Sequence, residues 1–467
     1  MERLHTLDAE FLHLEDGVGH LHIAGISVFE GPPATEAELT ALLAAKLHLI
    51  PRYRQRVRSV PLELGRPVWV DDPHFNLAYH LRYTALPAPG DDAALCRLMG
   101  RLMSQALDPD RPLWEIWLVE GLADGRWALI FKVHHCMVDG IAGVGLLTAL
   151  LDIDPDAPLP DVEPWTPAPE PSGASMVLGA WTGLAGDVVD RFRELPAMAL
   201  HPARTAHALL SGIEGLTGFV RHLGSTPPLA IEGTIGPHRA WAHSAVRLQD
   251  VKDVGHAFGG TVNDVVLAAV TQGYRELLRA HGDATEGAVV RSLVPVSVRH
   301  DDGEGIPDNR ISAMLIELPV DIDDPVERLR AVHERMADLK ASHMAESGEW
   351  VTSAGDLAPP MVVGTLSRLA TRVMHQMPQR SVTTVTTNVP GPQFPLYCLG
   401  RRMVEHLPFV PITHGVRVGT AILSYDGQVS FGVTGDYDSV PDVSVLADGI
   451  VAGVDELVAA IPPQPAP

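Results

Sequence analysis

A dense apolar run, Trp127-Ala-Leu-Ile-Phe-Lys-Val133, is short, bulky and bounded by Gly125 and Gly140. That pattern predicts a buried strand. Before it, Leu21 to Phe29 reads as a strand, and Glu36 to His48 as a helix leading into Ile50-Pro51-Arg52-Tyr53-Arg54. After it, Ile141 to Leu151 reads as an apolar helix. A second α/β stretch begins at Arg239. There Thr261-Val-Asn-Asp264 leads into a helix, and Val289 to Val298, Thr383 to Val389, Gly419 to Ser424 and Val429 to Thr434 read as strands. Tyr425-Asp426-Gly427-Gln428 joins the last two as a hairpin, because Asp-Gly suits a turn whose central residues need positive φ. Asp324-Pro325-Val326-Glu327 predicts a helix start, with a capping Asp, Pro in the first turn and Glu three residues after the cap.

The pattern changes between these halves. Residues 152–172 are proline-rich, through Asp-Ile-Asp-Pro-Asp-Ala-Pro-Leu-Pro and Pro-Trp-Thr-Pro-Ala-Pro-Glu-Pro, and predict an extended, exposed connector. Residues 175–224 are helical in pattern, with Val188, Val189, Phe192, Leu195, Leu209, Leu210, Ile213 and Leu216 at helical spacing. Such helices either pack plainly or cover a groove and contact lipid. Ile461-Pro-Pro-Gln-Pro-Ala-Pro467 predicts a disordered tail. The expected division is a first α/β domain over 1–151, a connector and helical crossover over 152–238, a second α/β domain over 239–460, and the tail over 461–467. A length of 467 residues fits two domains of ordinary size.

Composition narrows the class. The chain is 46% hydrophobic and 20% charged, a globular balance. Its formal net charge of −23, from 35 Lys and Arg against 58 Asp and Glu, argues against nucleic-acid binding and against broad attachment to anionic lipid. A local apolar patch still allows peripheral contact with a membrane or lipid droplet. Cys96, Cys136 and Cys398 are scattered and odd in number, which predicts no disulfide framework and a reducing, cytoplasmic setting. The N-terminus carries acids where a signal peptide needs cations. The apolar-looking stretch Ser175 to Gly186 falls short of the ~20 residues that span a bilayer.

The chemistry gathers at His134-His135-Cys136-Met137-Val138-Asp139-Gly140, an HHxxxDG segment where the buried strand ends. Neighbours on an extended backbone point to opposite faces, so only one histidine can face a given cavity. A base, a carboxylate and a tight turn within seven residues suit proton abstraction from a hydroxyl. A metal reading through His134, His135 and Asp139 is weak, because adjacent ligands diverge.

HHxxxDG after a buried strand resembles the active-site motif of the CoA-dependent acyltransferase superfamily, which includes chloramphenicol acetyltransferase, carnitine acyltransferases and condensation domains. Further blocks resemble bacterial wax ester synthase/diacylglycerol acyltransferases. These are Leu7-Asp8-Ala9-Glu10-Phe11-Leu12, Leu107 to Glu115 (PLDxxRPLWE, with Ala106 for its leading Pro), Thr261-Val-Asn-Asp264, Pro295 to Arg299, Asp308 to Ser312 (with Asp308 where Gly is common) and Thr387 to Pro392. They cover nearly the whole chain in the family's order. Residues 230–236 lack an Asn often found before the second domain, and the 152–172 connector is long, which bears on the acceptor more than on the chemistry.

The resemblance implies an α/β fold of two chloramphenicol-acetyltransferase-like domains with a tunnel at their interface. Acyl-CoA enters as a substrate rather than a cofactor, and diacylglycerol or a long-chain alcohol accepts the acyl group. His135 is then the general base, with His134 as a buried partner holding the turn. Asp139 pairs with a buried Arg, Arg299 being the candidate and Arg111 the alternative, and Gly140 completes the turn. Asn263 either donates towards the developing oxyanion or holds the acceptor, or else serves with Asp264 as a plain helix cap. Asn388 binds CoA or caps its strand, and Gly391 permits close approach of backbone to substrate or to the other domain. Transfer is direct: no GxSxG motif proposes an acyl-enzyme, and Cys136 is packing. Two other readings share these residues, a relative with a different hydroxyl acceptor and a catalytically silent lipid-binding or lipid-droplet protein. Oligomeric state has no signature in the chain.

Overall fold

The structure, a computed structural model, describes residues 2–61, 64–137, 150–179, 229–297, 311–341 and 382–463. Asp139, Gly140, the helix beginning at Ile141, Arg299 and most of 175–224 lie outside the described residues.

Two six-stranded mixed sheets organise the molecule. The first runs Tyr397–Cys398, Arg401–Phe409, His22–Phe29, Trp127–His134, Trp114–Glu120 and Leu81–Ala85. Its last pair is parallel and the others are antiparallel. The motif strand Trp127–His134 is central and buried along its whole length, as its apolar composition requires. Its even-numbered side chains, Ala128 and Ile130, pack with the helix Asp92–Met103. Its odd-numbered ones, Leu129, Phe131 and Val133, pack with the helix Glu36–Lys46. That helix carries a capping box between Thr35 and Glu38.

The second sheet runs Ile311–Leu318, Val290–Ser297, Thr384–Pro390, Val418–Tyr425, Gln428–Asp436 and Arg239–Arg247. The helices Val262–Ala280 and Val443–Ala459 bury apolar faces in its core, with Val265, Leu277, Leu446 and Ile450 inaccessible to solvent. The hairpin at Tyr425–Gln428 has positive φ at both Asp426 (41°) and Gly427 (83°), the conformation its Asp-Gly pair predicts. Asp324 caps its helix, its Oδ1 accepting from Val326 N and Glu327 N at 2.9 Å each.

One strand crosses between the halves. Arg401–Phe409 follows four strands of the second sheet in sequence, yet it pairs antiparallel with His22–Phe29 in the first. No hydrophobic pattern announces this, because strand pairing is set by tertiary geometry. The crossing brings Pro408 so close to Gly432 that a Cβ there would run into the Pro408 carbonyl. Elsewhere Arg239, which opens the second half, donates to Val18 O at 2.6 Å, and Ser104 Oγ accepts from Arg239 N at 3.0 Å.

Residues 157–172 of the connector carry no helix or strand and are mostly exposed, but the segment is pinned. Glu170 accepts from Arg56 and Arg58 at 2.9 and 2.7 Å, and Trp165 meets the Phe75 ring edge-on and carries the Arg54 guanidinium over its own ring. At the other end of the chain, Ile461, expected in the loose tail, packs on the second core.

Candidate active site

The motif strand ends on His134, and the two histidines have different partners. His134 lies in register with His22 and shares a face with Lys132. It is 1% exposed. Its Nδ1 accepts from Cys136 N at 3.1 Å, which leaves the ring proton on Nε2. Nε2 then donates to Glu15 Oε2 at 3.1 Å. His135 opens the one-turn 3-10 segment His135–Met137, with its ring centroid 4.2 Å from that of Phe11. Its backbone N donates to Leu21 O at 2.9 Å, which continues the ladder for one more residue.

Glu15 and Phe11 come from one helix, Thr6–Leu14, of which Glu15 is the C-cap. Glu15 Oε1 also lies 3.4 Å from His20 Nδ1 and 3.4 Å from His22 Nε2. Burial alone would raise this carboxyl. The hydrogen bond from His134, with the His20 and His22 imidazoles beside it, holds it far below the usual carboxylate range instead. Burial, with the Lys132 charge second, keeps His22 well below an ordinary histidine. Burial also lowers Lys132 to about 8, where its Nζ donates to Leu102 O at 2.9 Å and to Gln105 O. Among the described residues no group of His, Cys, Asp and Glu could hold a metal ion.

Cys136 is buried, and its thiol is pushed up first by that burial and then by the Asp8 and Glu15 charges. A thiol so held is a poor nucleophile. Arg111 pairs with Asp108 at 3.2 Å and stacks on Tyr79 at 4.1 Å, so its described contacts are at the surface.

The amide candidates form a second cluster on the second sheet. Asn263 sits in the first turn of Val262–Ala280, and its Oδ1 accepts from Asn388 Nδ2 at 3.1 Å. Asn388, paired with Ile422 in the sheet, is thereby a partner of Asn263. The cap of that helix is Thr261, with Asp264 as its reciprocal partner in a capping box. Asp264 Oδ2 also bonds His333 Nδ1 at 2.8 Å. Burial would raise the Asp264 carboxyl, but the His333 and Thr261 bonds bring it below the usual range. Gly391 is required by a neighbouring strand: a Cβ there would meet the Ser424 carbonyl, and its N–H donates to Ser424 Oγ at 3.3 Å. The clusters are linked through the core. Leu423 and Tyr425, on the strand paired with that of Asn388, belong to the same buried cluster as Cys136 and Met137.

Sequence reasoning singled out His134, His135, Asn263, Asp264, Asn388 and Gly391, and gave no role to Phe11, Glu15 or His22, which the structure places against the two histidines. The block Leu7 to Leu12 and the alternation His20-Leu21-His22 were the available signals. Neither shows from sequence that a helix C-cap meets a strand end 119 residues away.

Known proteins resemble this chain along its whole length. A profile described as the wax ester synthase/diacylglycerol acyltransferase catalytic domain matches residues 4–266, and one for the C-terminal domain of that group matches 308–458. A Mycobacterium tuberculosis protein named probable diacylglycerol O-acyltransferase is 38% identical over 464 residues, covering 98% of this chain and 96% of its own. The wax ester synthase/diacylglycerol acyltransferase from Marinobacter aquaeolei VT8 superposes with a TM-score of 0.68 at 26% identity, covering 97% of this chain and 98% of that one. The first condensation domain of the calcium-dependent antibiotic synthetase shares the fold, with a TM-score of 0.58 at 16% identity. The two mixed sheets are thus chloramphenicol-acetyltransferase-like folds, and the chain belongs to the wax ester synthase/diacylglycerol acyltransferase family.

Proposed function

We propose that the protein transfers the acyl group of an acyl-CoA directly to the hydroxyl of diacylglycerol, and to long-chain alcohols, with His135 as general base. The observation that carries this reading is the division of labour between the two histidines. Glu15 and the Cys136 amide hold His134, while His135 has neither as a partner and packs its ring on Phe11. An alcohol is a poor nucleophile at neutral pH, and a base within hydrogen-bond reach removes that obstacle. The acceptor oxygen attacks the thioester carbonyl as His135 takes its proton. The tetrahedral oxyanion collapses, the C–S bond breaks, and His135 returns the proton to the CoA thiolate. Ester and free CoA leave, and no group stays on the protein. Asn263 spends its carbonyl on Asn388, which leaves its amide N–H bonds as donors for the oxyanion or the acceptor. We place the substrates in a tunnel between the two lobes, with the chain working in a reducing, cytoplasmic setting. The acceptor arrives from lipid. Exposed Ile153, Leu159, Val162 and Leu178 on and beside the connector support peripheral contact with a membrane or droplet. Among the described residues no helix is long and apolar enough to cross a bilayer.

The test is thiol release from palmitoyl-CoA with and without diacylglycerol, repeated with His135→Ala. Release that depends on diacylglycerol and disappears in the variant supports the reading. Release with another hydroxyl alone would move the acceptor class, and no release with any acceptor would support a silent lipid-binding protein.

A further inference from the structure

We propose that the helix Thr6–Leu14 is the positioning element for the base: Glu15 at its C-cap fixes His135 through His134, and Phe11 fixes the His135 ring directly. The inference rests on His135 being the base. Glu15 touches no reacting atom, so its role is positioning.

Three observations converge on it. The first is a hydrogen-bonded chain from carboxylate to turn: Glu15 Oε2 accepts from His134 Nε2 at 3.1 Å, and His134 Nδ1 accepts from Cys136 N at 3.1 Å. His135 is flanked by the last two members of that chain. Replacing the carboxylate by a neutral group weakens the acceptor of a buried N–H and lets the ring shift, which loosens the Cys136 amide and the turn. The second is that two more imidazoles, those of His20 and His22, lie 3.4 Å from Oε1 and favour its charged form there, and His22 is 2% exposed. The third comes from the same helix one turn earlier, where Phe11 packs on the His135 imidazole at 4.2 Å between centroids, tilted by 46°. A single rigid element thus determines where the base lies along two routes. A misplacement of about 1 Å in a base costs on the order of 10²-fold in rate, so modest loosening is measurable.

The experiment compares Glu15→Gln, His134→Asn, the double variant, Phe11→Leu and His135→Ala, with kcat expressed per folded molecule. We expect Glu15→Gln and Phe11→Leu each to lower kcat about tenfold with both KM values unchanged. Adding His134→Asn to Glu15→Gln should cost little more, because the two act through one turn. A Glu15 that only stabilised the fold would reduce yield and melting temperature and leave kcat per folded molecule intact, and that result overturns the proposal. Multiplicative losses in the double variant overturn the route through His134. If the Glu15 variants do not fold, nitrogen-15 NMR of histidine-labelled wild-type protein decides: the His134 tautomer protonated on Nε2 supports the chain, and the Nδ1 tautomer overturns it. His135→Ala keeps the two readings apart. Near-normal turnover there removes the base and this inference with it, whereas lost turnover there beside a normal Glu15→Gln removes the positioning role alone.

Discussion

His135 and Cys136 are adjacent, and the sheet assigns them different fates. His135→Ala should lose at least ~10²-fold in kcat, the low end for a general base, while the melting temperature stays near that of the parent. His134→Ala should instead lower stability, because it leaves Glu15 and the Cys136 amide without a partner. Measuring both quantities on both variants checks the assignment. Cys136→Ala should stay active, since the buried thiol is held protonated and the acceptor attacks the thioester directly. Mass spectrometry after mixing with acyl-CoA alone should show no adduct. A group that forms on any residue and decays at the turnover rate would sink direct transfer.

The crossing strand Arg401–Phe409 dominates at the next scale. His406 on it bonds Ser27 Oγ through Nδ1 at 3.0 Å, and its ring rests against Gly25, where a Cβ would lie 2.7 Å from Cε1. Burial pushes His406 down to about 4 from an ordinary 6.5. The folded state therefore resists the proton that the unfolded chain binds. This histidine's contribution is fully present above about pH 6.5 and is lost progressively as pH falls from there to about 4. A tenfold difference in proton affinity between the two states is worth ~1.4 kcal/mol, so the contribution is at most about 3 kcal/mol. His406→Gln should flatten the fall in melting temperature between pH 6.5 and 4, and an unchanged acid slope would remove the assignment. Gly432→Ala should destabilise by about 1–3 kcal/mol, the usual cost of overpacking, because the new methyl meets the Pro408 carbonyl. Chemical denaturation measures it. Elements formed by neighbouring residues were legible from sequence: the Asp324 cap, the Asp426-Gly427 turn and the buried strand ending at His134 all follow local rules. The pinning of Trp165 and Glu170 was not, because their partners lie about a hundred residues earlier in the chain.

For the whole molecule, the crossing strand makes the two lobes interdependent. The first sheet is completed by residues 397–409, so a fragment ending at 238 lacks an edge of its own sheet and exposes His22–Phe29. Expressed alone, residues 1–238 should be insoluble or unfolded, and co-expression with 239–467 should restore solubility. Calorimetry of the full chain should show one transition, and two well-separated ones would show that the lobes fold independently.

Local pattern accounts for the motif's frame. HHxxxDG at the end of an apolar run marks where a buried strand gives way to a turn, and the strand does end on His134. Helix caps and hairpin turns likewise arise between residues a few positions apart. Tertiary structure alone decided which histidine meets Glu15, that Asn388 takes the Asn263 carbonyl, that Gly391 answers to Ser424, and that Arg401–Phe409 belongs to the first sheet. Those are contacts between segments 33 to about 380 residues apart, and no periodicity encodes them. They follow from which faces the folded sheets bring together.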